Sequence, residues 1–202
     1  MRIFGVAMVR NEADVTEPFV RHNLTALDGL LIVDHGSSDS TGEILSKLQA
    51  EGLPLRIHSE SAPGFDQSHH VTNLAREALA RDHADFVFAL DADEFLKIES
   101  REKLESGLAQ VPPGVPALAH WLTYVPAVFA HDSTPFGRGH LRRRLAHERH
   151  GLHKVIVSRA FLDRPGETVW AGNHVVADAR TLALGRQARL RSDVVALAHP
   201  RA

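Results

Sequence analysis

Positions 86–90 read Phe-Val-Phe-Ala-Leu and stop on Asp91-Ala92-Asp93-Glu94. Five consecutive apolar residues describe a strand covered on both faces, the kind found inside a parallel sheet. Carboxylates at its C-terminal end fall where open α/β sheets bind ligands. On extended chain, residues i and i+2 point to the same side, so Asp91 and Asp93 are expected to converge. Two close carboxylates repel unless a cation or a shared proton intervenes, and oxygen-only ligands suit magnesium, manganese or calcium. The plain alternative is a set of ordinary loop acids after a strand, because D-x-D is a common tripeptide.

The same event occurs twice earlier. Ile3 to Val9 is a compact apolar run followed by Arg10-Asn11-Glu12, and Leu30-Leu31-Ile32-Val33 runs into Asp34-His35-Gly36-Ser37-Ser38-Asp39. Helical spacing fills the intervals. It covers Thr16 to Leu27, Thr41 to Glu51 behind a cap at Asp39 or Ser40, and Gln67 to Asp82 with Val71, Leu74, Ala75, Ala78 and Leu79 on one face. With a short third strand at 55–57, strand and helix alternate up to the acid tip. That is βαβ organisation, which predicts a parallel sheet with helices on both faces. Polar tips on neighbouring strands of such a sheet build one site.

Beyond position 98 the pattern changes. Glu99 to Leu108 reads as a short helix, Pro112-Pro113-Gly114-Val115-Pro116 breaks the chain, and strand-like segments follow at 117–125, 154–158 and 194–198. The proline-rich step is too short to separate two domains. Residues 1–202 are therefore read as one domain, with a nucleotide-binding half at 1–98 and an acceptor half at 99–202. A net charge of −2 supplies no global field toward nucleic acid. The absence of cysteine excludes disulfides and thiolate metal sites and fits a reducing compartment. No apolar run approaches the roughly 20 residues that cross a bilayer, and the N-terminus enters a strand pattern rather than a signal peptide.

Together, Val9-Arg10-Asn11-Glu12, Val33-Asp34-His35-Gly36-Ser37-Ser38-Asp39-Ser40-Thr41 and Leu90-Asp91-Ala92-Asp93-Glu94-Phe95 resemble family 2 glycosyltransferases in order and spacing. The likeness is strongest to the bacterial branch whose metal motif is D-x-D-E-F. Trp170-Ala171-Gly172-Asn173-His174 and Leu197-Ala198-His199-Pro200-Arg201 are similar to that branch's closing motifs. The resemblance implies a GT-A fold, a mixed, mainly parallel α/β sheet flanked by helices. It implies a nucleotide-diphosphate-sugar donor (a UDP-sugar first), a divalent cation (Mn2+ or Mg2+) and inversion at the anomeric carbon. It also implies that Arg10, Asn11 and Glu12 contact the nucleotide and that Asp34 and Asp39 read base and ribose. Asp91 and Asp93 would hold metal and diphosphate, Asp93 directly, and His174 would add a further ligand. The acceptor would be a glycan, a lipid-linked molecule or a small molecule, met in the cytoplasm or at the inner face of the membrane. Members of the branch continue past the point where this chain stops, at Ala202, so the acceptor half is expected to be short.

Each residue also has a plainer reading. Asp34 and Asp39 can be turn and cap residues of a Gly-Ser-Ser loop, and Arg10 can pair with Glu12 or Asp14 instead of a diphosphate. Glu94 can orient the metal ligands from behind. Arg76 loosely matches a diphosphate-contacting base of the family, and Lys154, beside an apolar run, could reach the diphosphate too. Trp121 and Tyr124 suit either a sugar platform or the core. Inversion needs a general base, for which Asp132, Glu148 and Glu167 are candidates without a motif to choose among them. The basic stretch from Arg138 to Arg144 suits an anionic acceptor or a solvated loop. Two other functions stay open: a nucleotide-sugar-binding module without turnover, and a sugar nucleotidyltransferase. Against the second, the first tip lacks a glycine-rich, lysine-bearing loop.

Overall fold

The structure is a computed structural model, and it describes residues 1–61, 64, 66–126, 141–143, 152–181 and 186–200. Strands β1 (Ile3–Val9), β2 (Gly29–His35), β3 (Leu55–Glu60) and β4 (Phe86–Leu90) alternate with helices α1 (Thr16–Asn23), α2 (Thr41–Ala50) and α3 (Gln67–Arg81). The second half adds β5 (Phe95–Ile98), α4 (Arg101–Ala109), β6 (Ala117–Pro126), β7 (Leu141–Arg143), β8 (His153–Ser158), β9 (Glu167–Val169), β10 (Val176–Asp178), β11 (Ala188–Arg189) and β12 (Val195–Pro200). One large sheet runs β3-β2-β1-β4-β8-β6-β12-β5, with β7 and β11 paired to β6, and β9 and β10 form a separate hairpin. The first four strands in that order are parallel, whereas β8 is antiparallel to both its neighbours. The alternation of elements predicts the parallel part of this α/β architecture, and the mixed sheet as a whole is what the family resemblance implies.

Side chains alternate across the interior strands, so the sheet has a core on each face. Ile3, Ala7, Val9, Phe88 and Leu90 join α1, α2 and α4 on one side, while Phe4, Val6, Met8, Val87 and Ala89 meet α3 on the other. All seven residues of β1 are buried, which explains its unbroken apolar run. Each fully buried aliphatic side chain contributes roughly 1.5–3 kcal/mol by leaving water. Asp66 caps α3 by accepting from the His69 amide at 3.0 Å, so the helix begins at Gln67 and points that side chain at the acid-tipped strand.

The position of β5 requires the sheet to curl. β4 and β5 are joined by residues 91–94 alone, yet β8, β6 and β12 lie between them in the sheet. Four strand spacings amount to about 19 Å on a flat sheet, and a link of this length spans less than that even when fully extended. The link is also bent, because the Glu94 amide donates to the Asp91 carbonyl at 3.1 Å. The sheet must therefore wrap around the 91–94 turn. On β5's side, Asn23 secures it, with its Nδ2 on the Glu94 carbonyl and its Oδ1 on the Leu96 amide.

Candidate functional site

The first two strand tips are sewn together. Asn11 adopts a left-handed conformation (φ 55°), and its Oδ1 accepts from the Ser38 amide at 2.8 Å while its own amide donates to Ser37 Oγ at 3.0 Å. The Glu12 amide donates to Thr41 Oγ1 at 2.8 Å. Asp39 bridges the loops, accepting from the Thr41 amide at 3.0 Å and the Ala13 amide at 3.2 Å. Those bonds, Thr41's first, hold its carboxyl below the usual range. Asp34 accepts from both the amide and the hydroxyl of Ser37. The turn and cap readings of Asp34 and Asp39 thus describe real contacts, and these contacts set the shape of the joined tips. Arg10 is exposed beside them.

The third tip departs from the extended-chain expectation. Because 91–94 is a turn, Asp91 and Asp93 face different partners. Asp91 Oδ1 accepts from Gln67 Nε2 at 2.9 Å and Asn173 Nδ2 at 2.8 Å, and Oδ2 accepts from the Lys154 ammonium. Lys154 also donates to the Gly172 carbonyl at 2.7 Å. Its nitrogen lies 3.1 Å from Glu94 Oε1, with Lys154 1% and Glu94 0% exposed; the pair is close but off the direction of a hydrogen bond. Glu94 Oε2 accepts from the Asp91 amide at 2.9 Å. Burial foremost, and the Asp91 charge second, push the Glu94 carboxyl up to about 8.

Asp93 turns toward the closing strand. Its Oδ2 lies 3.0 Å from His199 Nδ1 on β12. Trp121 on β6 packs tilted against His199 with centroids 4.5 Å apart and stacks against His174 at 5.5 Å. His174 Nδ1 is 2.7 Å from the His153 carbonyl. A carbonyl only accepts, so Nδ1 carries a proton, and in the neutral ring Nε2 carries the lone pair. That is the arrangement usual for an imidazole that binds a metal through Nε2. Glu12 feels the same acids: its carboxyl is raised first by burial, then by Asp93, Asp14, Asp39 and Asp91.

Other expected site residues lie elsewhere. Arg76 is nine positions along α3 from Gln67, about 13 Å by helical rise. Its guanidinium donates to the carbonyls of Phe161, Arg164 and Glu167 and covers the Phe161 ring. Lys154 is aimed by the strand alternation of β8 at Asp91, not at open space. Tyr124 accepts from Lys97 at 3.2 Å, and Glu167 pairs with Arg164 at 3.3 Å. Asp132, Glu148 and the side chains of the 138–144 basic stretch lie outside the described residues. The sequence reading gave no role to Gln67, Asn173 or His199. Only the fold brings them to the tips, although the Gly-Asn-His and Ala-His-Pro segments had marked the last two.

Among the described residues no three His, Asp or Glu side chains are gathered tightly enough to hold a metal. The donor set still fits a divalent ion, because Asp93 offers a carboxylate that is 35% exposed and His174 offers an imidazole lone pair. A carboxylate and a nitrogen suit Mn2+ at least as well as Mg2+.

No family model and no curated protein matches the chain. Solved structures do match. Staphylococcus aureus TarS aligns with all of this chain at a TM-score of 0.59 and 13% identity, over 37% of its own length. TarS residues 1–349 in complex with UDP-GlcNAc align at 0.57 and 13%, over 59% of that chain. The Pyrobaculum calidifontis mannosyltransferase PcManGT, in complex with GDP-Man and Mn2+, aligns at 0.56 and 17%, over 56% of its length. The chain thus spans between about a third and three-fifths of these proteins and shares their fold, that of nucleotide-sugar transferases of the GT-A type.

Proposed function

We propose that this chain is the core of a metal-dependent glycosyltransferase that moves a sugar from a nucleotide-diphosphate sugar, a UDP-sugar first, to a hydroxyl acceptor with inversion. The observation that carries the reading is the meeting of three strand tips of one curled sheet, 10–12, 34–39 and 91–94, beside Trp121 and His199 of that sheet and His174 in the turn of the β9–β10 hairpin. Residues 1–98 would bind the donor, and 99–202, within the same domain, would meet a glycan, a lipid-linked molecule or a small-molecule acceptor.

In this reading the nucleoside rests on the joined tips, with Asp34 facing the base, Asp39, Asn11 and Glu12 shaping its bed, and Arg10 free to approach the diphosphate. Asp93 and the Nε2 of His174 hold the divalent cation. When bound, that ion neutralises charge developing on the leaving diphosphate. Glu94 stays protonated behind the Asp91 turn and keeps the floor of the site from gathering a further negative charge. No helix among the described residues is long and apolar enough to cross a membrane, and we assign the protein to the cytoplasm or the inner face of the membrane.

A binding module without turnover is the second reading, favoured by one observation: Glu167, the base candidate inside the described residues, is paired with Arg164. Incubation with UDP- and GDP-sugars and Mn2+ separates the two. Mn2+-dependent donor hydrolysis that Asp93→Ala abolishes is the expected result. Tight binding with no hydrolysis selects the module, and no Mn2+-dependent nucleotide binding at all overturns both.

A further inference from the structure

We propose that Asp91 is not a ligand for cation or nucleotide. Instead, its part-exposed carboxylate and the buried Lys154 ammonium form a clasp that positions the 172–174 turn, and through it His174. The role of His174 rests on the function proposed above, whereas the clasp itself stands on contacts within the protein.

Asp91 is already occupied. Three donors converge on its two oxygens: Gln67 and Asn173 on Oδ1, Lys154 on Oδ2. A cation approaching Oδ2 would meet the ammonium at close range. Lys154 is equally committed, with one hydrogen on Asp91, one on the Gly172 carbonyl and its nitrogen beside Glu94. It is buried and cannot reach a diphosphate without leaving both the Asp91 carboxylate and the Gly172 carbonyl.

The 172–174 turn carries bonds of its own, the Asn173 amide on the Trp170 carbonyl at 2.9 Å and the Trp170 amide on the Val175 carbonyl at 3.0 Å, and its positive φ values, 82° at Gly172 and 59° at Asn173, suit those residue types. Its contacts with the rest of the fold centre on Asp91 and its partners. Asn173 Nδ2 donates to Asp91, the Gly172 carbonyl accepts from Lys154, and the Gly172 amide donates to Oε1 of Gln67 at 2.8 Å, the residue whose other amide atom binds Asp91. The Asn173 carbonyl then accepts from the Val155 amide at 2.8 Å, next to Lys154 on β8. His174 follows directly. Helix α3, strand β8, the acid turn and the 172–174 turn thus meet on one ion pair, which makes Lys154 a positioning residue and not a catalytic one.

The test compares Asp91→Asn, Lys154→Met and the charge-neutral double variant, using unfolding of metal-free protein, the imidazole NMR signals of His174 (assigned with His174→Gln), and binding of Mn2+ in the presence of UDP. Each single variant breaks the ion pair: Asp91→Asn leaves the buried ammonium beside Glu94, and Lys154→Met leaves the part-exposed carboxylate without its cation. Each should lower the midpoint of thermal unfolding by about 5–10 °C, shift the His174 signals and weaken Mn2+ binding about 10- to 100-fold. The double variant should recover most of all three. Asp93→Asn should instead lose Mn2+ binding with the His174 signals of the metal-free protein unchanged. A double variant that binds Mn2+ as poorly as Asp91→Asn while its His174 signals match wild type would overturn the proposal, since Asp91 would then touch the ligand. Unshifted His174 signals in both single variants would overturn it as well. Where a single variant fails to fold, the double variant is read against wild type: His174 signals and Mn2+ binding both near wild type support the clasp, and wild-type His174 signals with Mn2+ binding lost overturn it. Should wild type bind no Mn2+ with UDP, the function proposed above falls, while the unfolding and NMR comparisons still judge the clasp.

Discussion

Replacing Glu94 with glutamine should remove a pH dependence from the folding equilibrium. The Glu94 side chain is fully buried, and its carboxyl is pushed from an ordinary value of 4.5 up to about 8, by burial first and by Asp91 second. Lys154 and the bond from the Asp91 amide pull in the opposite direction without cancelling this. Between those two values the native protein holds a proton that the unfolded chain has released. Stability is therefore fully present below the unfolded value and is lost as pH rises through the native one, by about 1.4 kcal/mol per pH unit. Over the whole interval the loss is at most about 5 kcal/mol. Glutamine has no proton to lose and can still accept from the Asp91 amide. Urea unfolding of wild type and Glu94→Gln, without metal, at pH 5, 6, 7 and 8 reads the difference directly, because histidine titrations are common to both and cancel. The two proteins should be of similar stability at pH 5 and diverge until the glutamine variant is the more stable by about 3–5 kcal/mol at pH 8. Parallel pH profiles would refute the reasoning, since Glu94 would then ionise as easily in the native protein as in the unfolded chain.

Two further substitutions separate architecture from ligand binding. Arg76→Met removes a guanidinium held by three carbonyls. It should destabilise the protein by about 2–4 kcal/mol with nucleotide affinity nearly unchanged; a calorimetric loss of UDP binding at unaltered stability would return Arg76 to the diphosphate. Gly172→Ala puts a Cβ at φ 82° and 3.0 Å from His174 Cδ2. That strain of about 1–2 kcal/mol should weaken Mn2+ binding while leaving metal-independent UDP binding intact, as titration calorimetry with and without Mn2+ would show.

What could be read from the sequence follows from how local the cause is. The runs 3–9, 30–33 and 86–90 announce themselves because strands covered on both faces need no polar alternation. Helix α3 is legible from the five apolar residues of its buried face, and its start is fixed locally by the Asp66 cap. By contrast, β5 is four residues whose strand character depends on pairing with β12, about a hundred positions away. The β9–β10 hairpin and two-residue β11 are likewise too short to carry a period. At the site, the three tips were visible because acids and Asn-Glu or Gly-Ser-Ser steps interrupt apolar runs. The partners of Asp91 were not, since Gln67, Lys154 and Asn173 come from three separate elements and only the curled sheet brings them together. Extended-chain geometry also misdirected the acid pair, because the bond from the Glu94 amide to the Asp91 carbonyl makes the segment a turn.

That turn gives the two aspartates different electrostatic environments, although one residue separates them. Asp91 faces a buried ammonium and two amide donors, so its charge is compensated before any ligand arrives. Asp93, nearly as exposed (35% against 32%), has an imidazole beside it whose charge depends on protonation, and both aspartates raise the Glu12 carboxyl after burial does, Asp93 more than Asp91. A fixed cation thus sits on Asp91 and not on Asp93. A second fixed cation at Asp93 would weaken its attraction for an exchangeable one. If Asp93 holds the ion, as proposed above, Lys154 matters to a ligand it never touches, because it compensates Asp91 and leaves the uncompensated charge on Asp93.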